Sequence, residues 1–507
     1  MPGEAKHPWR RTLGAVPLGE GLVEFRVWAP KVSSVAVRLH DGDHELAAAG
    51  EGVFEGTVRA EHGDDYVFVL DREPHPDPCS RLQPDGVRGC SRVVDTRRFE
   101  IADGPGVRLE ELVLYELHIG TCSQEGTFDG AVPRLRGLRE LGITAVEVMP
   151  IATFPGNRNW GYDGVYTFAP HPAYGGPDGF ARFVDAAHRE GLGVFLDVVY
   201  NHVGPGGEAL EAFGPYFTDG HDTFWGDAID YSQRGVREWA IQNALLWTCE
   251  YKVDGLRLDA VHAIFDDSQP HVLRELKQRV GDALVTSEME LGDWRPIEEW
   301  GHDAQWFDAA HHELHVLLTG EREGYYAGHG SVEALARDLQ GRGKPPERLI
   351  VCSQNHDQVG NRARGDRLPR EALRVAAAVT LFSPCTPLLF MGEEHAEPHP
   401  FQFFTDHIDP FVADATREGR KKEFETFAAF AGADVPDPQA VETFERSKLS
   451  WIADEETRAL YARLLRLRRE LPREFETRVK GRTLHLRRGR LELVVDFDAK
   501  TVAFDYA

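Results

Sequence analysis

Residues 253–262 read VDGLRLDAVH, and the fold turns on how this stretch is built. A mostly apolar run stops on Asp259, with Arg257 two positions earlier, so on a strand both side chains point to one face. Three more stretches share that shape. GVFLDVVYNH (193–202), LVTSEME (284–290) and LIVCSQNHD (349–357) each run apolar and then stop on Asp, Glu or His. Amphipathic segments closed by glycine stand between such strands. In AVPRLRGLREL, Val132, Leu135, Leu138 and Leu141 recur at helical spacing, and Gly142 follows. Near-continuous apolar strands alternating with amphipathic helices specify a parallel sheet covered on both faces. An open doubly wound sheet also fits. About eight strand candidates, from LVLYELHIG (112–120) to TPLLFMGEE (386–394), favour a closed (β/α)8 TIM barrel of the α/β class. Residues at the C-terminal strand ends of such a barrel line one face, where active sites are built.

The flanks read differently. Residues 1–100 are expected to form an N-terminal, carbohydrate-binding-like β-sandwich: GLVEFRVWAP places Val23, Phe25 and Val27 on one face, with Glu24 and Arg26 opposite. SSVAVRLH, GVFEGTVRA and DYVFVL follow at short spacing. The barrel is assigned to 101–445. Residues 446–507 form a C-terminal helix, EETRALYARLLRLRREL, and a small β-domain of RTLHLRRG, RLELVVDFD and TVAFDYA.

Composition restricts the function classes. The 507 residues, 42% hydrophobic and 28% charged, describe a soluble globular chain of two or three domains. A net charge of −26, from 57 basic and 83 acidic residues, argues against nucleic acid as a partner, since phosphate binding needs clustered cations. It suits a neutral substrate such as a glucan. The six cysteines lack C-x-x-C spacing, and Cys79 and Cys90 are the only close pair, a pattern of reduced cytoplasmic thiols. MPGEAKHPWRR has no apolar core of signal-peptide length and no stretch approaches a membrane span, so a cytoplasmic location without a membrane partner is expected.

Carboxylates gathered from separate strands point to acetal cleavage. A glycosidic bond is cut by two carboxyl groups, one protonating the leaving oxygen while the other attacks the anomeric carbon or activates water. Arg257 beside Asp259 should keep that carboxylate ionised, as a nucleophile requires. Glu288 and Glu290 alternate around Met289, and either could be the proton donor. Asp357 ends a polar run after an apolar strand. Each aspartate could instead cap a helix, and Arg257–Asp259 could be a structural ion pair. In AHHELH, His311, His312 and His315 do not make the HExxH zinc pattern, and the first strand end offers only His118 without an H-x-H partner, so no metal is expected. GPGGEALEAFG (204–214) lacks the Gly-Lys-Ser/Thr ending of a phosphate loop and reads as a loop over the cleft. Trp160, Tyr216, Trp225 and Phe403 are loop aromatics that either stack on glucose rings or simply pack.

DVVYNH (197–202), GLRLDAVH (255–262), SEME (287–290) and QNHDQVGN (354–361) resemble, in order, the four short sequence regions of the α-amylase family of glycoside hydrolases. That resemblance implies a β/α barrel between an N-terminal β-sandwich and a C-terminal β-domain. It implies Asp259 as nucleophile, Glu288 as general acid/base and Asp357 as transition-state stabiliser, in a retaining reaction with Asp259 and Glu288 roughly 5–5.5 Å apart. Arg257 would orient Asp259. His202 and His356 would hydrogen-bond the sugar, Asp197 would support the floor, Tyr162 would stack on the ring with Asp163 nearby, and His262 joins the substrate-binding set. No cofactor is implied. Further segments, among them QVGNRARGDRL (358–368), PFQFFTDH (400–407) and FERSKLSW (444–451), are similar to the trehalose-releasing branch of that family. The branch implies maltooligosyl trehalose as substrate and the synthase that makes it as pathway partner. Two departures stand out: Met289 and Glu290 follow the acid, and the stretch from about 336 to 350 is shorter than the Gly-, Arg- and Tyr-rich loop usual before the QNHD strand. An amylase, a branching or a debranching enzyme shares the four regions, and so does an inactive glucan-binding homologue, although such proteins typically lose one of the three carboxylates.

Overall fold

Eight parallel strands close into a barrel in the computed structural model, which describes residues 8–223, 226–425 and 435–506. They are β1 (Leu114–Leu117), β2 (Ala145–Val148), β3 (Gly193–Val198), β4 (Gly255–Leu258), β5 (Leu284–Ser287), β6 (Ala304–Trp306), β7 (Leu349–Cys352) and β8 (Thr386–Phe390). Leu114 of β1 lies opposite Leu388 of β8, which closes the ring and excludes the open sheet. All residues of β1–β4 and β6–β8 are buried, because each strand is covered inside by the barrel core and outside by helices. That is why they read as near-continuous apolar runs, interrupted by single buried polar groups such as Glu116, Asp197 and Arg257. β6, only Ala-Gln-Trp, is too short to show a period and was not among the sequence-derived strands.

The helices follow their periodicity. α1 (Phe128–Leu141) begins where Thr127 Oγ1 accepts the Gly130 N–H, and ends at Gly142, whose φ of 117° lets its N–H turn back to Leu138 and Arg139. α2 (Gly176–Arg189) buries Phe180, Phe183, Val184 and Ala187. α3 (Arg234–Leu245) passes into one π turn at Leu246–Glu250. α4 (Val272–Val280), α5 (Asp308–Thr319), α6 (Val332–Leu339), the five-residue α7 (His356–Gly360) and α8 (Arg370–Phe382) complete the shell.

Before the barrel, two antiparallel sheets face each other, one built on Leu22–Trp28 and Val53–Arg59, the other on Val35–Leu39 and Asp65–Leu70. Phe25 meets Tyr66 between them at 5.1 Å. Arg26, on the opposite face, is buried as well, engaged by Glu55 and the Pro8 carbonyl. After the barrel, α9 (Glu455–Glu470) packs on α8 and leads to a four-stranded antiparallel sheet. Its first strand, Glu476–Lys480, was not anticipated, because alternate residues there are charged on the exposed face and small or partly buried on the other.

A strap joins these parts. Leu449 N–H donates to the Thr121 carbonyl (2.9 Å) and Trp451 Nε1 to the Cys122 carbonyl (2.8 Å), just after β1. Ser450 donates through its N–H and hydroxyl to Glu397 (2.9 and 2.8 Å), just after β8. The six cysteines are free thiols, and among the described residues no helix is long and apolar enough to cross a membrane.

Candidate active site

One guanidinium organises the floor of the barrel mouth. Arg257 projects from β4 into the interior and is fully buried. The parallel register sets it opposite Asp197 of β3. Its Nη1 donates to Asp259 Oδ1 (2.6 Å) and to both Asp197 oxygens (2.8 and 3.0 Å), and its Nη2 donates to Glu288 Oε2 (2.6 Å). The Trp306 ring of β6 backs it at 4.3 Å. Burying a cation costs several kcal/mol. Charge-assisted hydrogen bonds of about 1.5–3 kcal/mol each offset that cost, provided the carboxylates stay in place. The interaction is therefore a constraint on geometry, and the three carboxyls are held around one point.

Asp259 and Glu288 are driven apart in proton affinity. Burial works against ionisation of Asp259, but Arg257, His202 and the Asn201 amide outweigh it and hold the carboxyl below its ordinary range. Asn201 Nδ2 donates to both the Asp259 carbonyl and Oδ2, each at 2.8 Å. Glu288 goes the other way. Burial, with Asp259 and Asp357 as neighbouring charges, pushes it up to about 8 against the pull of Arg257. The left-handed turn at Ala260 (φ 39°) aims its N–H at Glu288 Oε2 (3.1 Å). Glu290 takes no part: β5 ends at Ser287, strand alternation stops there, and Glu290 is exposed while Met289 is buried.

The third carboxylate arrives on α7. Asn355, not Asp357, caps that helix, its Oδ1 accepting the Gln358 N–H at 2.7 Å. His356 is pinned from behind by Glu116 of β1, which accepts its backbone N–H (2.8 Å) and Nδ1–H (2.6 Å). Burial opposes the imidazolium, but Asp357 and Glu116 raise it to about 10, so the ring is a cation that also donates to the Tyr162 hydroxyl (2.8 Å) and lies 3.4 Å from Asp357. Tyr162 stacks on it at 5.1 Å and donates to Asp197 Oδ2 (2.7 Å). Side-chain exposure separates floor from foundation. Asp259, Glu288 and Asp357 keep 9, 24 and 35%, whereas Asp197 and Glu116 keep 2 and 1%. The first three reach the cleft.

The remaining residues are placed less directly. Both ring nitrogens of His202 are engaged, Nε2 with the Tyr162 carbonyl (2.9 Å) and Nδ1 with Asn201 Oδ1, so a bond to a sugar would have to exchange with one of these. Asp163 accepts from Asn159 Nδ2 (2.5 Å) and lies 3.8 Å from His407. His262 is partly buried, with its Nδ1 buried and without a protein partner. Trp160 and Tyr216 are buried, the former stacked on Phe401, so both pack, while Phe403 lies under the Arg420 cation. Trp225 lies outside the described residues. His311, His312 and His315 pack around Tyr326, and among the described residues no group of three His, Cys, Asp or Glu could hold a metal ion. The segment before β7 is short, and a Gly-, Arg- and Tyr-containing loop stands one helix earlier, at 320–331. Glu321 of that loop accepts two bonds from Arg362 (2.6 and 2.8 Å).

The sequence reading missed Glu116, Asn201 and Asp308. Glu116 carried a signal, a lone carboxylate within a buried strand. Asp308 carried none, because it follows the unrecognised β6. Burial, with Asp357 nearby, raises it to about 6. The segments QVGNRARGDRL and PFQFFTDH are laced together: Phe401 N–H donates to the Gly365 carbonyl (2.9 Å) and Gln402 Nε2 to the Arg364 carbonyl (3.2 Å). Gly365 is required there, since a Cβ would lie 2.3 Å from that Phe401 carbonyl oxygen at a φ of 65°. Chemically, a protonated and an ionised carboxyl side by side can cleave an acetal.

Known proteins resemble the chain along most of its length. The family model for the α-amylase catalytic domain matches residues 94–214. The malto-oligosyltrehalose trehalohydrolase of Deinococcus radiodurans is 44% identical, with 92% of this chain and 85% of that protein aligned. The enzyme of the same name from Saccharolobus solfataricus is 42% identical over 89% of this chain and 86% of its own. A crystal structure described as a putative α-amylase from Salmonella typhimurium superposes with a TM-score of 0.87 at 40% identity, covering 96% of this chain and 92% of that one.

Proposed function

The chain belongs to the malto-oligosyltrehalose trehalohydrolases of the α-amylase family, and on that premise we propose how its cleft hydrolyses the α-1,4 bond beside the terminal trehalose of a maltooligosyl chain, releasing trehalose. The observation that carries this reading is the placing of Asp259 and Glu288 on the two terminal nitrogens of Arg257, where Arg257 holds the first carboxyl down and burial pushes the second up. Glu288 gives its proton to the leaving glycosidic oxygen as Asp259 attacks the anomeric carbon, forming a glycosyl ester. Glu288, now a base, takes a proton from water, which displaces Asp259 with net retention. Holding both carboxyls on one guanidinium supports the narrow spacing of a retaining pair over the wider gap that leaves room for a water. Asp357 accepts from ring hydroxyls of the distorted sugar, with His356 beside it and Tyr162 behind.

The reading extends to context. Such a substrate calls for a synthase that installs the terminal trehalose unit. The free thiols support a cytoplasmic location. The division at 1–100, 101–445 and 446–507 is part of the proposal, supported by separate sheets within 14–92 and 476–506 and barrel strands between 114 and 390.

The direct test compares maltooligosyl trehalose with a plain maltooligosaccharide of matching length. Free trehalose should appear rapidly from the first, with little cleavage of the second. Equal cleavage of both would reassign the cleft to general α-glucan hydrolysis. The pH profile tests the roles. The first step needs Glu288 protonated and Asp259 ionised, so kcat/KM should fall as pH rises through about 8, while the acid limb lies below the ordinary carboxylate range. An alkaline limb near 5 would contradict the assignment.

A further inference from the structure

We propose that Glu393 is a positioning residue for this reaction, clasping the end of β7 so that His356 and Asp357 are presented to the sugar. Glu393 follows β8 and is 2% exposed, so substrate does not reach it. Its carboxyl accepts from the Tyr461 hydroxyl of α9 (3.0 Å), the Phe390 N–H (3.3 Å), the Ser353 hydroxyl (3.3 Å) and Gln354 Nε2 (3.5 Å). Ser353 and Gln354 are the two residues immediately before the Asn355 cap, and both are buried. Gln354 is held on its other side too, its Oε1 accepting the Leu368 N–H at 2.8 Å. Everything between these anchors and Asp357 is short and rigid: Asn355 fixes the first turn of α7, and Asn361 Nδ2 donates to Asp357 Oδ1 (3.0 Å). The last strand and the C-terminal helix thus hold the pivot on which the third cleft carboxylate turns. Burial raises the Glu393 carboxyl to about 8, against its bonds to Phe390 and Tyr461, so a neutral amide imitates it closely.

The inference rests on the roles given above to His356 and Asp357. Misplacing a reacting group by about 1 Å costs on the order of 10²-fold in rate. Glu393→Ala should therefore lower kcat on maltooligosyl trehalose by about 10- to 100-fold with KM little changed. Glu393→Gln should recover most of the loss, and Tyr461→Phe should reproduce part of it. In an Asp357→Asn background, Glu393→Ala should cost markedly less than it does alone, because much of the effect passes through Asp357. Losses that multiply fully in the double variant, or a loss confined to KM, would overturn the proposal while leaving the site reading intact. An Asp357→Asn variant with native kcat would overturn the site reading itself, and this inference with it. If Glu393→Ala melts below the assay temperature, Tyr461→Phe, which removes one hydroxyl, carries the same double-variant comparison.

Discussion

Asp259→Ala should lower kcat on maltooligosyl trehalose by about 10⁴-fold or more, as loss of a covalent nucleophile does in enzymes whose reacting groups act as a unit. Nothing else in the cleft can replace it. Asp197 also binds Arg257 Nη1, but it is 2% exposed and committed to Tyr162. Asp357 stands on α7, 3.4 Å from the His356 ring, and is tied to Asn361 Nδ2. The fold should survive, because Arg257 keeps Asp197 and Glu288 as partners. Steady-state kinetics with a melting curve separates lost chemistry from lost structure. Azide, small enough for the space vacated by the carboxylate, should restore turnover and give a glycosyl azide of inverted configuration. A variant within tenfold of the parent rate would remove Asp259 from the reaction.

Glu288→Gln should lower kcat by about 10²–10⁴-fold, the range of a positioned general acid. The amide oxygen can still accept from Arg257 Nη2 and the Ala260 N–H, so geometry is kept and only the proton is removed. The leaving group therefore decides the size of the loss. A glycosyl fluoride departs without protonation, and its glycosylation step should be nearly spared, whereas the glucoside should suffer in full. The fall in rate above about pH 8 should vanish with the carboxyl. Equal losses on both substrates would show that Glu288 acts by some means other than proton donation.

The barrel was legible because its strands are buried on both faces and so read as near-continuous apolar runs, several of which stop on Asp, Glu or His. Strand alternation put Arg257 and Asp259 on one face, where they do meet, but it left a structural ion pair and a nucleophile equally open. The same rule failed at the next strand: it put Glu288 and Glu290 on one face, but β5 ends at Ser287 and the chain turns, leaving Glu290 in solvent. A period-two argument holds only as far as the ladder does. Asp357 was equally ambiguous, since a carboxylate opening a helix reads as a cap, until Asn355 was found in that place. Trp160 and Tyr216 show the opposite limit. Loop aromatics carry no sign of how deeply a loop is folded in, and these two are core. The supports of the site, Glu116 beneath His356 and Trp306 behind Arg257, depend on which strands become neighbours, which no local pattern states.

The strap at 449–451 and the Tyr461–Glu393 bond also set a timetable for biosynthesis. Closure of β1 against β8 needs Phe390 and its neighbours, and that strand leaves the ribosome long after β1. The pieces that brace the seam come later still. From Phe390 to Tyr461 is roughly 70 residues, or about 4–14 s of elongation at 5–20 residues per second. During that interval a nascent chain already holds all three cleft carboxylates, yet lacks the elements that fasten the loops after β1 and β8. The seam between β1 and β8 is therefore braced only once Leu449–Trp451 and Tyr461 have followed Phe390 out, so the loops after β1 and β8 are the last parts of the barrel mouth to be fastened.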